Sequence, residues 1–502
     1  MTQRIVGTVA LLLFASIIVF LAVNSVLTTC EVEADETVRT HSDAVWLHAT
    51  LFAALVGGLW LLERTGERWL TAGREAILTC CVAALLGGAM ALCVALSKSL
   101  PIFDQRICIE IAMGLAQGNA DSWGSYYLRY FPFQIPFVLY CVPLAWLGGA
   151  QTVLALQLAN VVAAMAAAWA LGECAVLLFG QTRLRLTTWL GCLAFLPLWF
   201  YTPFVYGNLV GLCLMLLGAR QLLRYVRDHQ KRQLLGLTSL FVLATLLKMN
   251  YAIAGLAAGI VLALDAIGGK RLSAGIAAAL LVALCLTGNR MVARTAQALT
   301  GQNFTEGFPT SSWIMLGLEE EEGKAPGWYN NHAYDLYQRL ESRSAVDEIA
   351  KEEIGKRVRA LAADPGYAVD FLTRKTLSIW NEPSFQSLQI NEVARNPERA
   401  PQMTSVYEGS KKNLALGVMD QAHCLLLLGV VLWLALGARR ATLGQLFFPT
   451  YLVGGFLFHL AWEAKGQYTL PYLFCLIPYA MMGYRLLLRR LGAHTRKRGE
   501  PA

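Results

Sequence analysis

Long apolar runs alternate along this chain with short polar connections, and that alternation sets the first expectation. Runs of about 18 or more apolar residues are long enough for a helix to cross the hydrocarbon core of a bilayer. Thirteen candidate spans follow: 5–27, 45–62, 76–97, 132–149, 151–180, 186–203, 205–222, 234–248, 251–267, 272–289, 413–436, 443–462 and 468–487. The first, Ile5 to Leu27, lacks a small-residue cleavage site before Cys30 and reads as a retained helix. The expected class is an all-α polytopic membrane protein.

Charge orients these spans. Lys and Arg concentrate in 63–75, 219–233, 268–271, 438–440 and 489–498, which predicts that those connections are cytoplasmic. The acidic stretch 30–43 is expected outside. Counting from either end puts 98–131 and 290–412 outside too, but the counts differ by one crossing between 150 and 204. The 151–180 run is too long for a simple span, so a break there would reconcile them, at about 14 crossings.

Composition agrees with this picture. Of 502 residues 56% are hydrophobic and only 15% charged, outside the range of soluble domains of this length. The net charge of +8 comes from short loops and the C-terminus, so it is no nucleic-acid signal. The twelve cysteines lie mostly inside apolar runs without metal-ligand spacing, as small apolar fillers. Cys30 and Cys108 fall in loops on one side, where a disulfide could form. Four regions result: a transmembrane module 1–289 with the outer loop 98–131, an extracytoplasmic insertion 290–412, helices in 413–490, and a basic tail 491–502 expected to be disordered. Helical periodicity marks 341–362 within the insertion, and "TRKTLSIWNEP" (373–383) reads as a helix close to the membrane.

Chemistry-bearing residues cluster where apolar runs end. In "KSLPIFDQRICIEI", Asp104 suits a helix N-cap and, compatibly with that, a carboxylate able to activate an acceptor hydroxyl, and it is expected to be both. Glu110, six residues on, is off that face and reads as an ordinary interfacial residue. "SYYLRYFPFQIP" suits an aromatic belt, yet polar groups and prolines at a helix entry need protein around them, which favours Tyr130 and Gln134. Lys248 either snorkels or binds a lipid phosphate, and Arg290 could assist. Within "SSWIMLGLEEEEGKAPGWYNNHAYD", Trp313, Asn331 and His332 suit sugar recognition or an ordinary loop-rich domain, while 319–322 reads as a solvated run. "WEAKGQYTLPY" sets Glu463, Lys465 and Tyr468 in a short turn between membrane helices, where charge is commonly functional.

The order of "PIFDQ", "YFPFQ", "LLKMNYAI", "SSWIMLGL…GWYNNHAYD", "TRKTLSIW" and "WEAKGQYTLPY" resembles the GT-C superfamily of polyprenyl-phosphate-sugar-dependent glycosyltransferases, over nearly the whole chain. That superfamily includes protein O-mannosyltransferases and the aminoarabinose transferase of lipid A. The resemblance implies a bundle of about 13–14 helices with its active site at the extracytoplasmic face of the cell membrane. It implies a polyprenyl-phosphate sugar donor, Asp104 as base or acceptor-orienting group, and Lys248 and Lys465 on the leaving phosphate. Two departures stand out: Gln467 where many relatives carry Arg, and Gln105 where some carry a second acid. The expected function is inverting sugar transfer to a cell-wall polymer, lipid-linked glycan or protein. No cofactor is evident, and a divalent ion is neither required nor excluded. The rival expectation is a transporter or flippase of lipid-linked glycans; the intramembrane charges it calls for are few and its inverted repeat is not seen.

Overall fold

A computed structural model describes residues 2–66 and 71–498. Residues 67–70 of the first basic loop and 499–502 of the tail lie outside it. The chain is 79% helical, and the strands among the described residues form one hairpin, Thr28–Val32 against Val38–Ser42, so the class is all-α.

Among the described residues seven helical stretches are long and apolar enough to span a membrane: Gln3–Leu27, Ala72–Ser97, Pro132–Phe179, Asn208–Asp228, Met249–Gly269, Leu272–Thr300 and Lys412–Leu436. The pair Gly466–Phe474 and Ile477–Gly492, bent by 46°, passes the same test when taken as one span. Leucine and tryptophan side chains cover the outside of the bundle (Trp146 is 71% and Leu272 78% exposed), which suits lipid and not water. The protein is a multi-pass helical membrane protein.

Not all thirteen expected spans appear among the described residues as helices of 18 residues or more, and the causes are local. Apolar 186–203 breaks at Phe195 before Pro197, leaving Leu184–Ala194 and the five-residue Leu196–Phe200. Residues 443–462 yield only the 15-residue helix Phe447–Ala461. Val45–Leu61 and Arg232–Leu247 are apolar but short of 18 residues. The break expected within 151–180 is absent, because Thr152–Phe179 is one 28-residue helix. Its alanine-rich middle has high helix propensity, and the turn falls earlier, at Gly149 with φ +50°.

Three further expectations change. The helix Leu272–Thr300 runs through residue 290, so the non-helical start of the insertion is Gly301. The tail is not disordered up to residue 498, because the helix Ile477–Arg498 continues through it. Cys30 and Cys108 are both free thiols. Cys30 pairs through its backbone N–H with Asn381, while Cys108 packs with Tyr127, Ile135 and Cys141.

The helical stretch 343–363 stands as expected. Trp380, Phe385 and Ile390 of the insertion join the same apolar core as Trp433 and Tyr479 of the bundle. The insertion is therefore clamped onto the helices. Backbone hydrogen bonds join the hairpin, 98–131, 301–411 and 462–469 at one end, among them Phe308 to Tyr130, Leu100 to Ala394 and Ala464 to Gly327.

Candidate functional site

Asp104 owes its position to the residues before it. The helix Ala72–Ser97 stops at Lys98, which takes φ +44°, and Pro101 disfavours helical backbone at Leu100 before it. Ile102 then occupies the N-cap of the helix Phe103–Ala116, without a side-chain cap bond. Asp104 falls in the first turn, so the capping role expected for it is corrected. A carboxylate there still complements the helix dipole, but it accepts its hydrogen bond from the Tyr206 hydroxyl at 2.8 Å. The neighbouring Gln105 is buried and its Oε1 accepts from the Val205 N–H at 3.1 Å, docking this loop onto 203–207. Phe103 holds φ +45°, a strained left-handed backbone beside the carboxylate. Glu110 is exposed and pairs with Arg106 at 2.7 Å, one turn apart on the same helix.

Tyr206 is the centre of the arrangement. Its hydroxyl accepts from Gln134 Nε2 at 2.5 Å and lies 3.5 Å from that of Tyr127. The Lys248 amine sits 3.9 Å from the centre of its ring and 5.9 Å from that of Tyr468. Lys248 is extended (φ −152°), in the break after the helix Arg232–Leu247. Burial pushes its amine down to about 8, against the pull of Asp104 and Glu463. Gly207, at φ +74°, lets the backbone pass beside the Leu247 carbonyl, where a Cβ would lie 2.6 Å from that oxygen.

The turn 462–468 closes the other side. Glu463 is 3% exposed and accepts from the Tyr468 hydroxyl at 3.0 Å. Burial raises its carboxyl, with Lys465 opposing. Lys465 reaches Glu36 of the hairpin at 2.5 Å and lies 5.4 Å from the Tyr329 ring centre. Burial would lower its amine, but Glu36 and Glu463 hold it above the ordinary value. The insertion fixes this turn: Glu463 N–H donates to the Trp313 carbonyl, Ala464 N–H to Gly327, and Gln467 N–H to Gln386 Oε1. Beneath it, fully buried Lys375 donates to the carbonyl oxygens of Gly317, Leu460 and Trp462, three acceptors for an ammonium's three protons.

Gln386 is itself held from below. Burial pushes the Glu382 carboxyl up to about 7, although Ser384 and Gln386 donate to it. Those bonds hold Phe385 and Gln386 at positive φ and aim Gln386 at the turn.

Six of the residues singled out from sequence thus meet: Asp104, Gln134, Lys248, Glu463, Lys465 and Tyr468. Four stand apart. Tyr130 packs against Phe308, Tyr334 and Tyr337, and Arg290 is exposed partway along its helix. Asn331 is exposed at φ +62°, starting the helix His332–Leu340. His332 Nδ1 lies 2.7 Å from Glu319. Trp313 is intermediate, stacked on Trp462 at 6.4 Å while its carbonyl holds Glu463. Within 319–322, Glu320 meets Arg357 and Arg374, so that run is more than a solvated face.

Sequence reasoning missed Tyr206, Tyr329, Lys375 and Glu382. The signal for Tyr206 is "TPFVYGN", a Pro–Gly-bracketed break inside a supposed span. Cavities of about 210 Å³ beside Glu353 and Arg357 and about 520 Å³ beside Glu110 and Tyr126 do not reach Asp104 or Lys248. Asp43, His48 and Asp420 form a group able to hold a metal, which the sequence spacing did not reveal. It includes none of the six residues. The chain matches no family model and no curated protein.

Proposed function

We propose that this chain is an integral-membrane glycosyltransferase that moves one sugar from a polyprenyl-phosphate carrier to an extracytoplasmic acceptor. One observation carries the reading. An exposed carboxylate, Asp104, and a half-buried amine, Lys248, meet across the ring and hydroxyl of Tyr206 at one end of a membrane bundle.

That pair matches the demands of an inverting displacement. The acceptor oxygen attacks the anomeric carbon while Asp104 takes the hydroxyl proton. The bond from that carbon to the phosphate oxygen breaks, and its electron pair leaves with the lipid phosphate. The charge developing there is stabilised by the Lys248 ammonium, a point charge at the level where a lipid headgroup lies. Lys465 is already paired with Glu36, so its part is to hold the turn. Trp313 and Tyr329 offer ring faces for the acceptor or donor sugar.

The test is sugar transfer from polyprenyl-phosphate donors by the purified protein in detergent. Asp104→Asn should lower kcat by about 10²–10⁴-fold, the range of general acid–base contributions, with folding unchanged. A folded, fully active Asp104→Asn protein would remove the reading.

A further inference from the structure

A second cluster of ionisable groups lies away from this site, where the hairpin, the helix Val45–Gly66 and the helix Lys412–Leu436 meet. Asp43 follows the hairpin, His48 is in the first turn of the helix Val45–Gly66, and Asp420 is on Lys412–Leu436. One ligand atom from each lies within 4.8 Å of the other two. His48 Nε2 is 3.7 Å from Asp420 Oδ2 and 3.9 Å from Asp43 Oδ2.

These separations are too long for hydrogen bonds, which need about 2.7–3.2 Å. They suit two atoms sharing an ion, since ligands at ~2.1 Å from a metal lie at most ~4.2 Å apart. The two carboxylates lie within 4.8 Å of one another, about half an ångström or less beyond that limit. His48 adds an independent sign. It is 2% exposed, and neither ring nitrogen has a hydrogen-bond partner among the described residues. A buried imidazole left so is costly unless something occupies its lone pair. The Thr29 hydroxyl donates to Asp43 at 2.8 and 2.9 Å, an outer contact of the kind that orients metal-binding carboxylates. Among the described residues His48 is the one cationic side chain recorded in an ion pair with either carboxylate.

We propose that Asp43, His48 and Asp420 bind one divalent first-row transition cation that clips the helix Val45–Gly66 to the bundle. One imidazole and two carboxylates favour Mn²⁺, Fe²⁺ or Zn²⁺ over the all-oxygen preference of Mg²⁺ and Ca²⁺, and thiolate is absent from the set. The three ligands come from two helices and the connection between hairpin and helix, so binding stabilises that junction and needs no sugar-transfer chemistry.

The experiment uses the untagged full chain in detergent, stripped with EDTA and titrated with MnCl2. Electron paramagnetic resonance should show loss of the aqueous Mn²⁺ signal up to one ion per chain, with nitrogen coupling from a single imidazole. Added Zn²⁺ should displace it, and hydrogen exchange over 43–61 should slow on loading. His48→Gln should abolish the nitrogen coupling, and Asp420→Asn should weaken binding at least tenfold. Wild-type protein that binds no Mn²⁺, or binds it without nitrogen coupling, overturns the proposal whether or not the variants fold. Nitrogen coupling that persists in folded His48→Gln overturns it as well.

Discussion

The Tyr206 hydroxyl donates to the Asp104 carboxylate at 2.8 Å, while the Lys248 amine lies over the same ring. One side chain therefore fixes the distance between an acid and a base that are far apart in sequence. The hydroxyl orients the carboxylate, and the ring face holds the ammonium where burial has removed part of its water.

Tyr206→Phe separates these two roles, because it keeps the ring and removes the hydroxyl. Losing a hydrogen bond to a charged group costs about 1.5–3 kcal/mol, so kcat/KM for transfer should fall by roughly 10–150-fold. Binding of the donor should change little, since the ring face remains. Steady-state kinetics decide it, and an unaltered kcat would show that Asp104 needs no aiming.

The amine of Lys248 sets a pH limit. With its value pushed down to about 8, the cation is present below that pH and is lost above it. Apparent KM for the lipid-phosphate donor should rise as pH goes from 7 to 9, approaching tenfold per unit above 8. Lys248→Arg should flatten this rise, because guanidinium stays charged. The stability effect has a defined sign. The folded value lies below the ordinary one, so the unfolded chain binds the extra proton between about 8 and 10.5, and stability increases with pH across that window.

Gly207→Ala tests the backbone beneath the site. The φ of +74° and the Leu247 oxygen 2.6 Å from a would-be Cβ both oppose a side chain. Strain of this kind costs about 1–3 kcal/mol. The midpoint of thermal unfolding should drop, and donor KM should rise as Lys248 shifts. Gly118→Ala is the control: its φ is +82°, but nothing lies within 4 Å, so it should lose stability without changing KM.

Lys375→Met would strand the carbonyl oxygens of Gly317, Leu460 and Trp462 without their donor. Each unsatisfied buried group costs about 1–3 kcal/mol. Hydrogen exchange at the Glu463 and Ala464 amides should accelerate, because the turn they belong to rests on this amine. Unchanged protection there would show that the bonds to Trp313, Gly327 and Gln386 hold the turn without this amine.

Six residues of the candidate site were legible for a local reason. Asp104, Gln134, Lys248, Glu463, Lys465 and Tyr468 are polar groups where apolar runs end, and such groups are costly unless something partners them. Tyr206 gave no such sign, since a tyrosine near a span end looks like any member of an aromatic belt. The capping role of Asp104 failed by two positions, because Pro101 and Ile102 shifted the helix start. The sequence expectation grouped Tyr130 with the site by its place at a helix entry and Asn331 and His332 by composition, while the contacts pack Tyr130 against Tyr337, pair His332 with Glu319 and leave Asn331 exposed.

Apolar run length and periodicity by themselves determined a polytopic helical protein, because backbone in lipid must bond within its own segment. They could not determine which runs form full-length helices, since hydropathy does not register the break at Phe195 or the shortness of Val45–Leu61, Arg232–Leu247 and Phe447–Ala461. Only the tertiary structure decided that an outer loop, a helix break and a late turn share one tyrosine. The same folding brought Asp43 and His48 to Asp420. Such encounters depend on how helices pack across hundreds of positions, and no local pattern of residues encodes them.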